Sequence, residues 1–436
     1  MTHGIRRLLL GTALTTCALA LLAGAPARAN DNVLGIRQIG AGFNATLKQV
    51  GEHNKLIGAT DPLDATTRAF IQGGGVTLNT DQTGNGNAIG LRANLGSASD
   101  PVSSTLRFTQ TGDNHEAVLS IGPPDTATPA LPMVNNSVEF TQAGAGNRAA
   151  VTVDGAHELN NTTVYVRQDN TSGGFHRARA GLDGHDIDLV IDQSGDTQYV
   201  DGDAHVLSTD GRVNININQQ GANQRTTFLV TKVDPITTPS STPNLDVEVR
   251  QMGDGNEAVV EQNAPAARAK INQDGFSNYT EVRQFADDVG PSNRHDADVL
   301  LTGDDNDVRI RQDGRKAHYA KVHIYGNQNV AHIQQGIPAG GSNAQRVEAE
   351  SRGDYNRMYI TQDGTGAHQA VVNFPTGMNN NRMEINQHGS AAHVANFTIG
   401  GNSADIRITQ QGSVPQNTTM SISGSGTVMS ITQGAP

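Results

Sequence analysis

The feature that most constrains this chain is a short fragment that recurs along it. Gln251–Gln262 reads QMGDGNEAVVEQ, and related fragments are Gln142–Ala149 (QAGAGNRA) and Gln110–Ala117 (QTGDNHEA). Internal repetition of this kind indicates one structural unit used many times. Versions with one extra residue and His in the place of Asn begin at Gln312, Gln362 and Gln387.

The residues around each fragment predict strands. Apolar residues alternate with polar ones before the Gln, as Val247 and Val249 do, and they alternate again after the Ala. A period of two with Gly and Asn at the breaks is typical of short strands joined by tight turns. Each repeat is therefore a strand, a turn, a second strand and a second turn, and the compact copies take about 22 residues.

Stacking buries the inner face of such a repeat, which a lone two-stranded unit cannot do. If first strands align with first strands and second with second, the copies form two facing parallel sheets. The sequence thus predicts an all-β fold, a β-solenoid of about fifteen stacked strand-turn-strand repeats between Gln38 and Gln433. The composition agrees with this fold. Trp is absent and only 4% of the residues are aromatic, so a core of large side chains is not available and stacked strands must supply the cohesion.

Polar columns are expected inside this stack. Identical amides repeated at the interstrand spacing of about 4.8 Å hydrogen-bond along a column, so Gln and Asn are buried without orphaned polar groups. We expect the recurrent Gln, and the Asn or His that follows it, to point inward, to join successive repeats and to template the next one. The candidates are Gln38, Gln110, Gln142, Gln251, Gln312, Gln362, Gln387, Gln410, Asn147, Asn256, His318, His368 and His393.

The N-terminus reads as a secretory signal over residues 1–29. A pair of arginines precedes an apolar run, and a small-x-small motif ends at Ala29 before Asn30. We expect cleavage between these two residues. The mature chain, 30–436, is then a repeat β-solenoid from end to end.

Cysteine content and charge narrow the classes of partner. The single cysteine, Cys17, lies inside the predicted signal, so no disulfide and no thiolate-bound metal is expected in the mature chain. Cleavage leaves 28 basic residues against 43 acidic ones, a net charge of −15. This charge disfavours nucleic acid and anionic lipid as partners, and we expect no membrane insertion of the mature chain.

Corner insertions interrupt the repeat without ending it. The insertions at about residues 122–135 and 232–245 are rich in Pro and polar residues, which is typical of loops. The repeat resumes in the same phase after each insertion. We interpret them as lengthened corners rather than domain linkers. They cover about residues 57–77, 122–135, 232–245 and 285–296.

The fragment Gln251–Gln262 resembles the curlin repeat of the curli fibre subunits, Q-x-G-x-G-N-x-A-x3-Q, at every defined position. Degenerate copies cover most of the mature chain. The resemblance implies a secreted structural protein of the bacterial cell surface, a curli-like amyloid fibre subunit of the extracellular matrix that acts in biofilm formation and adhesion. It also implies partners: copies of itself or related curlin-like subunits, a secretion channel and a nucleator.

The chain departs from the curlin pattern in three respects. It has about three times as many repeats as curli major subunits, many copies replace Asn by His, and many replace the closing Gln by Gly. A second interpretation therefore stays open, a monomeric surface adhesin or binding scaffold that is a minor or nucleator-like component.

Other chemistry is disfavoured by the local sequence. Gly40, Gly42 and Ala45 imitate a dinucleotide loop, but that loop needs a helix where a strand is predicted here. The acidic corner Gly303–Asp307 is either a Ca²⁺ site or a solvated turn, and we favour the turn. A histidine column either binds metal, titrates near pH 6 or replaces the amide ladder, and we favour the last. No catalytic motif is found, so we expect no enzyme activity, no cofactor and no metal.

Overall fold

A computed structural model gives the architecture of the chain. Apart from Ala18–Leu19, the predicted signal lies outside the described residues, as does the cleavage site Ala29–Asn30. No helix occurs in the described part of the chain, hence none long and apolar enough to cross a membrane. The described residues are 18–19, 36–55, 69–95, 103–122, 133–144, 146–153, 159–170, 176–206, 212–221, 223–232, 245–263, 267–286, 294–314, 317–326, 328–336, 345–353, 355–363, 367–374, 380–390, 392–400, 403–414, 416–424 and 426–434.

The chain divides into two compact units, Met1–Gly221 and Ala222–Pro436. The strands of the first unit are β1 (Ala18–Leu19), β2 (Arg37–Ile39), β3 (Asn44–Gln49), β4 (Ala69–Gly73), β5 (Thr77–Gln82), β6 (Ile89–Leu95), β7 (Thr105–Gln110), β8 (Ala117–Ile121), β9 (Met133–Val134), β10 (Ser137–Ala143), β11 (Arg148–Val153), β12 (Leu159–Asp169), β13 (His176–Ser194), β14 (Gln198–Val206) and β15 (Val213–Gln220).

The second unit continues the same pattern of short strands. They are β16 (Arg225–Lys232), β17 (Leu245–Met252), β18 (Glu257–Asn263), β19 (Ala267–Asp274), β20 (Tyr279–Ala286), β21 (Arg294–Thr302), β22 (Asp307–Gly314), β23 (Ala317–Tyr325), β24 (Val330–Gly336), β25 (Gln345–Arg352), β26 (Arg357–Asp363), β27 (His368–Phe374), β28 (Arg382–Gln387), β29 (His393–Ile399), β30 (Asp405–Gln410), β31 (Gln416–Ile422) and β32 (Val428–Thr432).

Within each unit the strands alternate between two parallel sheets. In the first unit β5 lies between β3 and β7, while β6 lies between β4 and β8. The long strand β13 serves both sheets, since its first half pairs with β14 and its second half with β15. In the second unit β19 lies between β17 and β21, and β20 lies between β18 and β22. The predicted all-β solenoid with two parallel sheets is confirmed.

Two kinds of corner join the sheets. A short corner of four residues, such as Gly253–Asn256, follows β17 and leads to β18. In each unit, sheet 1 is the sheet whose strands end at a short corner. Sheet 2 is the sheet whose strands begin after a short corner. The corner after a sheet 2 strand varies more in length, and we call it the long corner.

Glycine is required at the short corner because successive corners touch. Gly303 has a φ of +128°, and a Cβ on it would lie 1.9 Å from the carbonyl oxygen of Gly275 one repeat earlier. A side chain there meets both a backbone conformation that favours glycine and a backbone clash. Repetition of this contact explains why the Gly of the fragment recurs.

The core lies between the two sheets and follows the predicted alternation. Along β17 every second residue is buried, beginning with Leu245, and Val247 and Val249 are both below 3% exposed. Parallel register stacks like on like, so Phe108 on β7 and Phe140 on β10 pack with ring centroids 4.8 Å apart. This stacking lets a chain poor in aromatic residues form a continuous apolar column in each sheet.

Described strands overlap each of the four predicted insertions. Strand β4 falls within 57–77 and strand β9 within 122–135, while β16, β17, β20 and β21 reach into the ends of the other two. Within the predicted ranges, residues 57–68, 123–132, 233–244 and 287–293 lie outside the described residues. In the sequence the last three follow β8, β16 and β20, which belong to sheet 2, and the first comes after β3.

Candidate functional site

Buried glutamines form a column along sheet 1 of the first unit. The parallel register aligns one glutamine from each strand. The amide Nε2 of Gln82 donates to Oε1 of Gln110, and Gln110 donates in turn to Gln142, both at 2.9 Å. Further along, Gln219 donates to Gln193 at 2.9 Å. The aligned residues are Gln49, Gln82, Gln110, Gln142, Gln168, Gln193 and Gln219.

The second unit begins with two such columns, one in each sheet. In sheet 1, Gln273 on β19 donates to Gln251 on β17 at 2.7 Å, and the column ends there because the next residue in register is Leu301. In sheet 2 the column continues. Its bonds run from Gln284 to Gln262 (2.8 Å), Gln312 to Gln284 (2.7 Å), Gln335 to Gln312 (2.8 Å), Gln362 to Gln335 (2.9 Å) and Gln387 to Gln362 (2.8 Å).

Most amides in these columns also bridge the two sheets of their unit, whereas Nε2 of Gln142 makes no such bond. Gln110 donates to the carbonyl oxygen of Glu116 at 3.1 Å, across the short corner. Gln312 makes the matching bond to Tyr319 across the long corner at 3.0 Å. A primary amide has two N–H donors, so one bond goes along the column and the other goes across the corner. The glutamines therefore join both neighbouring repeats and facing strands.

A column of asparagines lines the short corner of the second unit. Asn256 donates to Oε1 of Gln224 at 2.8 Å, and the asparagines of later corners follow it in the same way. All are buried, so this column satisfies amides that would otherwise be orphaned inside the corner. Its further bonds are Asn278 to Asn256 (3.1 Å), Asn306 to Asn278 (2.6 Å), Asn329 to Asn306 (2.6 Å), Asn356 to Asn329 (2.9 Å) and Asn381 to Asn356 (2.8 Å).

Histidines occupy the long corner of the second unit. In the register of sheet 1, His295, His318, Gln345, His368 and His393 follow one another, and none is more than 1% exposed. The rings of His368 and His393 are parallel with centroids 5.1 Å apart, and those of His295 and His318 are 5.2 Å apart. The His368 and His393 imidazoles thus stack face to face, and the His295 and His318 rings are tilted by 38°. Gln345 shows that an amide also fits this position.

Burial disfavours the charged form of His318, His368 and His393. It lowers the pKa of His368 to about 4, and the neighbouring His393 lowers it further while Asp363 opposes the shift. Burial also lowers the pKa of His318 and of His393. In the first unit, His115 and His176 sit at short corners, and burial lowers the pKa of each to about 4. A neutral ring is compatible with stacking, whereas a charged column inside the solenoid would be strongly disfavoured.

Over the ranges that the structure describes, no cluster of three or more His, Cys, Asp or Glu side chains is arranged to hold a metal ion. At the acidic corner, Gly303 to Asp305 form a bend at the surface, with the Asp305 φ at +55°. Asn306 contributes its side chain to the buried column rather than to a set of surface oxygens. The geometry at this corner is that of a turn.

Most of the candidate residues lie in these columns. Gln410 follows Gln387 in register and donates to Oγ1 of Thr418 at 2.8 Å. Asn147 is buried at a short corner beside His115. Gln38 stands apart, because its partner in register is Ile71. The signal-cleavage residues Ala29 and Asn30 lie outside the described residues.

The structure also brings in residues that were not among the candidates. The glutamines in sheet 1, apart from Gln168, share one signal in the sequence, which is an Asn, His or Gln five residues later at the short corner. Those in sheet 2 lack that fixed interval, because the long corner varies in length. The additional members of the columns are Gln49, Gln82, Gln168, Gln193, Gln219, Gln224, Gln262, Gln273, Gln284, Gln335, Gln345, Asn278, Asn306, Asn329, Asn356, Asn381 and His295, and two further buried histidines at short corners are His115 and His176.

Comparison with known proteins adds one finding. Residues 242–275 match the Curlin associated repeat family. No curated protein sequence and no solved structure matches the chain. The matched stretch holds β17, β18 and β19, where both sheets of the unit carry glutamine. As the resemblance predicted, the chain contains a curlin-associated repeat, at residues 242–275.

Proposed function

We propose that this chain is a secreted, curli-like fibre subunit of the bacterial cell surface, which adds further subunits at an open end of its stack and acts in biofilm formation and adhesion. The structural role is supported by the curlin-associated repeat and by the solenoid fold. Copies of the same chain or related curlin-like subunits are its partners, and a secretion channel and a nucleator serve its export and assembly.

The observation that carries this proposal is the uncovered last repeat. Strand β31 pairs with β29 and β32 pairs with β30, and no other described strand covers their far edges. An uncovered strand edge is a template for another chain. The inward positions of this repeat are also open to solvent.

These exposed inward positions continue the core. Met420 is in register with buried Phe397 and is 46% exposed. Ile431 follows buried Ile408 and is 36% exposed. Apolar side chains that are buried in every earlier repeat are thus bare in the last one, and addition of another repeat would remove them from water.

Fibre growth of the purified mature chain tests the proposal. We expect thioflavin-positive fibres and a fibre-diffraction spacing near 4.8 Å, the interstrand distance of stacked parallel strands. Ile431→Asp places a charge at the open end and is expected to slow elongation strongly. Ser430→Asp is the matched control, because in the alternating strand β32 it points to the outer face.

A chain that stays monomeric and yields no such spacing would contradict the fibre proposal. It would favour the second candidate, a monomeric surface adhesin or binding scaffold. The observation that supports this candidate is the variable long corner, where most of the insertions fall, because lengthened loops on a rigid scaffold often carry binding function.

A further inference from the structure

We propose that the outer face of sheet 2 in the second unit binds an acidic polysaccharide through a cleft over β22, β24 and β26. The cleft has a volume of about 270 Å³, and its lining includes Glu281, Arg309, Arg311, His332, Gln334 and Tyr359. It lies on the solvent side of the sheet, away from the buried columns. The proposal is independent of fibre growth, since a single chain carries the whole site.

The cleft opens because its two walls lean apart. Arg309 and Arg311 on β22 fold back toward β20, where their guanidinium carbons lie 5.3 Å and 5.6 Å from the ring centroids of Tyr279 and Phe285. On the other side, the His332 ring stacks on Tyr359 with centroids 4.6 Å apart and planes within 9°. The wall residues on β22 and β24 belong to adjacent strands, about 4.8 Å apart at the backbone, so the opening comes from the arginine side chains that lean toward β20.

The His332–Tyr359 pair offers a flat surface to a ring. Arg382 lies over the ring of Tyr359 at 5.7 Å, on the β28 side of the pair. His332 on β24 is next to β22, the strand whose arginines lean away. One face of the exposed imidazole is therefore turned to the cleft, and the apolar face of a sugar ring packs well on such an aromatic surface.

The arginines supply the charge selectivity. Arg309 pairs with Asp307 at 2.9 Å and Arg311 with Asp313 at 2.6 Å, and both arginine side chains are more than half exposed. Exposed ion pairs of this kind contribute little to stability, so the guanidinium N–H groups can also donate to a second carboxylate. A guanidinium binds carboxylates in a planar, bidentate geometry.

The remaining lining matches hydroxyl groups. The Gln334 amide both donates and accepts, and the Glu281 carboxylate accepts. An aromatic face, a guanidinium pair and mixed polar groups together fit a sugar that bears a carboxylate, the uronate class. Because the chain as a whole has a net charge of −12, it would repel a polyanion elsewhere, and binding needs this local site.

The test uses the full mature chain and oligogalacturonate as the probe, with binding followed by calorimetry. We expect saturable binding that weakens about tenfold or more in the double variant Arg309→Gln/Arg311→Gln, since charged hydrogen bonds are lost. The carboxyl-reduced, neutral oligomer is expected to bind as weakly to the wild-type chain. His332→Ala is expected to weaken binding by a smaller factor.

Arg352→Gln is the matched control. Arg352 lies in sheet 1, pairs with Glu350 at 2.5 Å and sits over the ring of Tyr325 at 5.1 Å, so it reproduces the setting of Arg309 without the cleft. It should leave binding unchanged. Absence of saturable binding by the wild-type chain, an equal loss in Arg352→Gln, or equal displacement by polyglutamate would overturn the proposal, the last in favour of an acidic peptide.

Discussion

In the first unit the glutamine column lies in sheet 1, whereas through most of the second unit it lies in sheet 2. The equivalent strand-end position in the other sheet differs accordingly. In the first unit the strands of sheet 2 end on buried apolar residues such as Ile121 and Leu182. In the second unit, beyond Gln273, sheet 1 carries Leu301 and Ile324 instead. Most repeats outside the overlap thus pair one amide strand with one apolar strand, and on β25 the apolar position is taken by the buried Ser351.

This difference shows that either sheet can hold the amide column. Its bonds are the same in both places, one to the next glutamine and one across the corner. The two columns overlap only at Gln251–Gln284, and residues 242–275, which match the curlin-associated repeat, cover most of this stretch. The rest of the chain keeps half of that pattern at a time and fills the other half mainly with apolar side chains.

The short-corner glycine is common to both units, and its loss should have the largest effect. We expect Gly303→Ala to destabilise the chain by more than about 4 kcal/mol, because backbone strain and a backbone clash act together. Urea unfolding of freshly prepared monomer, followed by circular dichroism, measures the loss.

Gly181→Ala is the control for this substitution. Gly181 lies in β13, and a Cβ there would come no closer than 3.7 Å to the carboxylate of Asp203, which is ordinary contact. It is expected to be close to neutral. If both variants lost the same stability, the stacked glycine contact would not be what fixes the corner.

Substitution of a glutamine in the middle of a column should cost more stability than substitution of one at its end. Gln312→Leu removes bonds to Gln284 and Gln335 and leaves two buried amides short of a partner, so we expect a loss of about 2–4 kcal/mol. Gln273→Leu removes one column bond, to Gln251, and places a leucine beside Leu301, so about 1–2 kcal/mol is expected. Denaturant midpoints of the two variants give the comparison, and equal losses would show that column bonds do not set stability.

The histidine column of the second unit predicts sensitivity to acid. Unfolded histidine titrates near pH 6.5, while burial lowers the pKa of His368 to about 4 in the fold. Between these values the unfolded chain binds more protons, so stability is full above about pH 6.5 and falls as the pH drops toward 4. The charged and titratable groups that act on His368 are Asp363, His388 and His393.

His368→Gln should remove part of this dependence, since Gln345 already occupies the same column. Between pH 7 and pH 5, the free energy of unfolding of the variant is expected to fall by roughly 1–2 kcal/mol less than that of the wild-type chain. Urea midpoints at the two pH values measure the difference. His332→Gln, on the outer face, serves as control and should keep the wild-type dependence. A wild-type midpoint that stays constant over this range would refute the prediction.

Much of the architecture follows from residues that are close in sequence. The alternation around Val247 and Val249 predicts the strand, and Gly253 with Asn256 predicts the tight corner that follows. The repetition of this set predicts parallel stacking, since only stacking covers the inner face. The polar interior was predictable too, because buried amides need partners and identical neighbours supply them.

The position of the columns was harder to predict. Gln142 and Gln312 have the same local setting, a Gln after alternating apolar residues and before a glycine-bearing corner. One ends a strand of sheet 1 and the other a strand of sheet 2. The distinction depends on which sheet the preceding strand occupies, and the local pattern does not record this.

The sequence by itself determined that this chain forms short parallel strands, turns at Gly-rich corners and buries amides in register, because these are consequences of period-two alternation and of hydrogen-bond satisfaction. Only the tertiary structure decided which sheet holds each column, that the His368 and His393 rings stack face to face, and that no described strand covers the far edges of β31 and β32. Those features depend on which repeats become neighbours in space, and this is fixed by the register between strands rather than by any one strand.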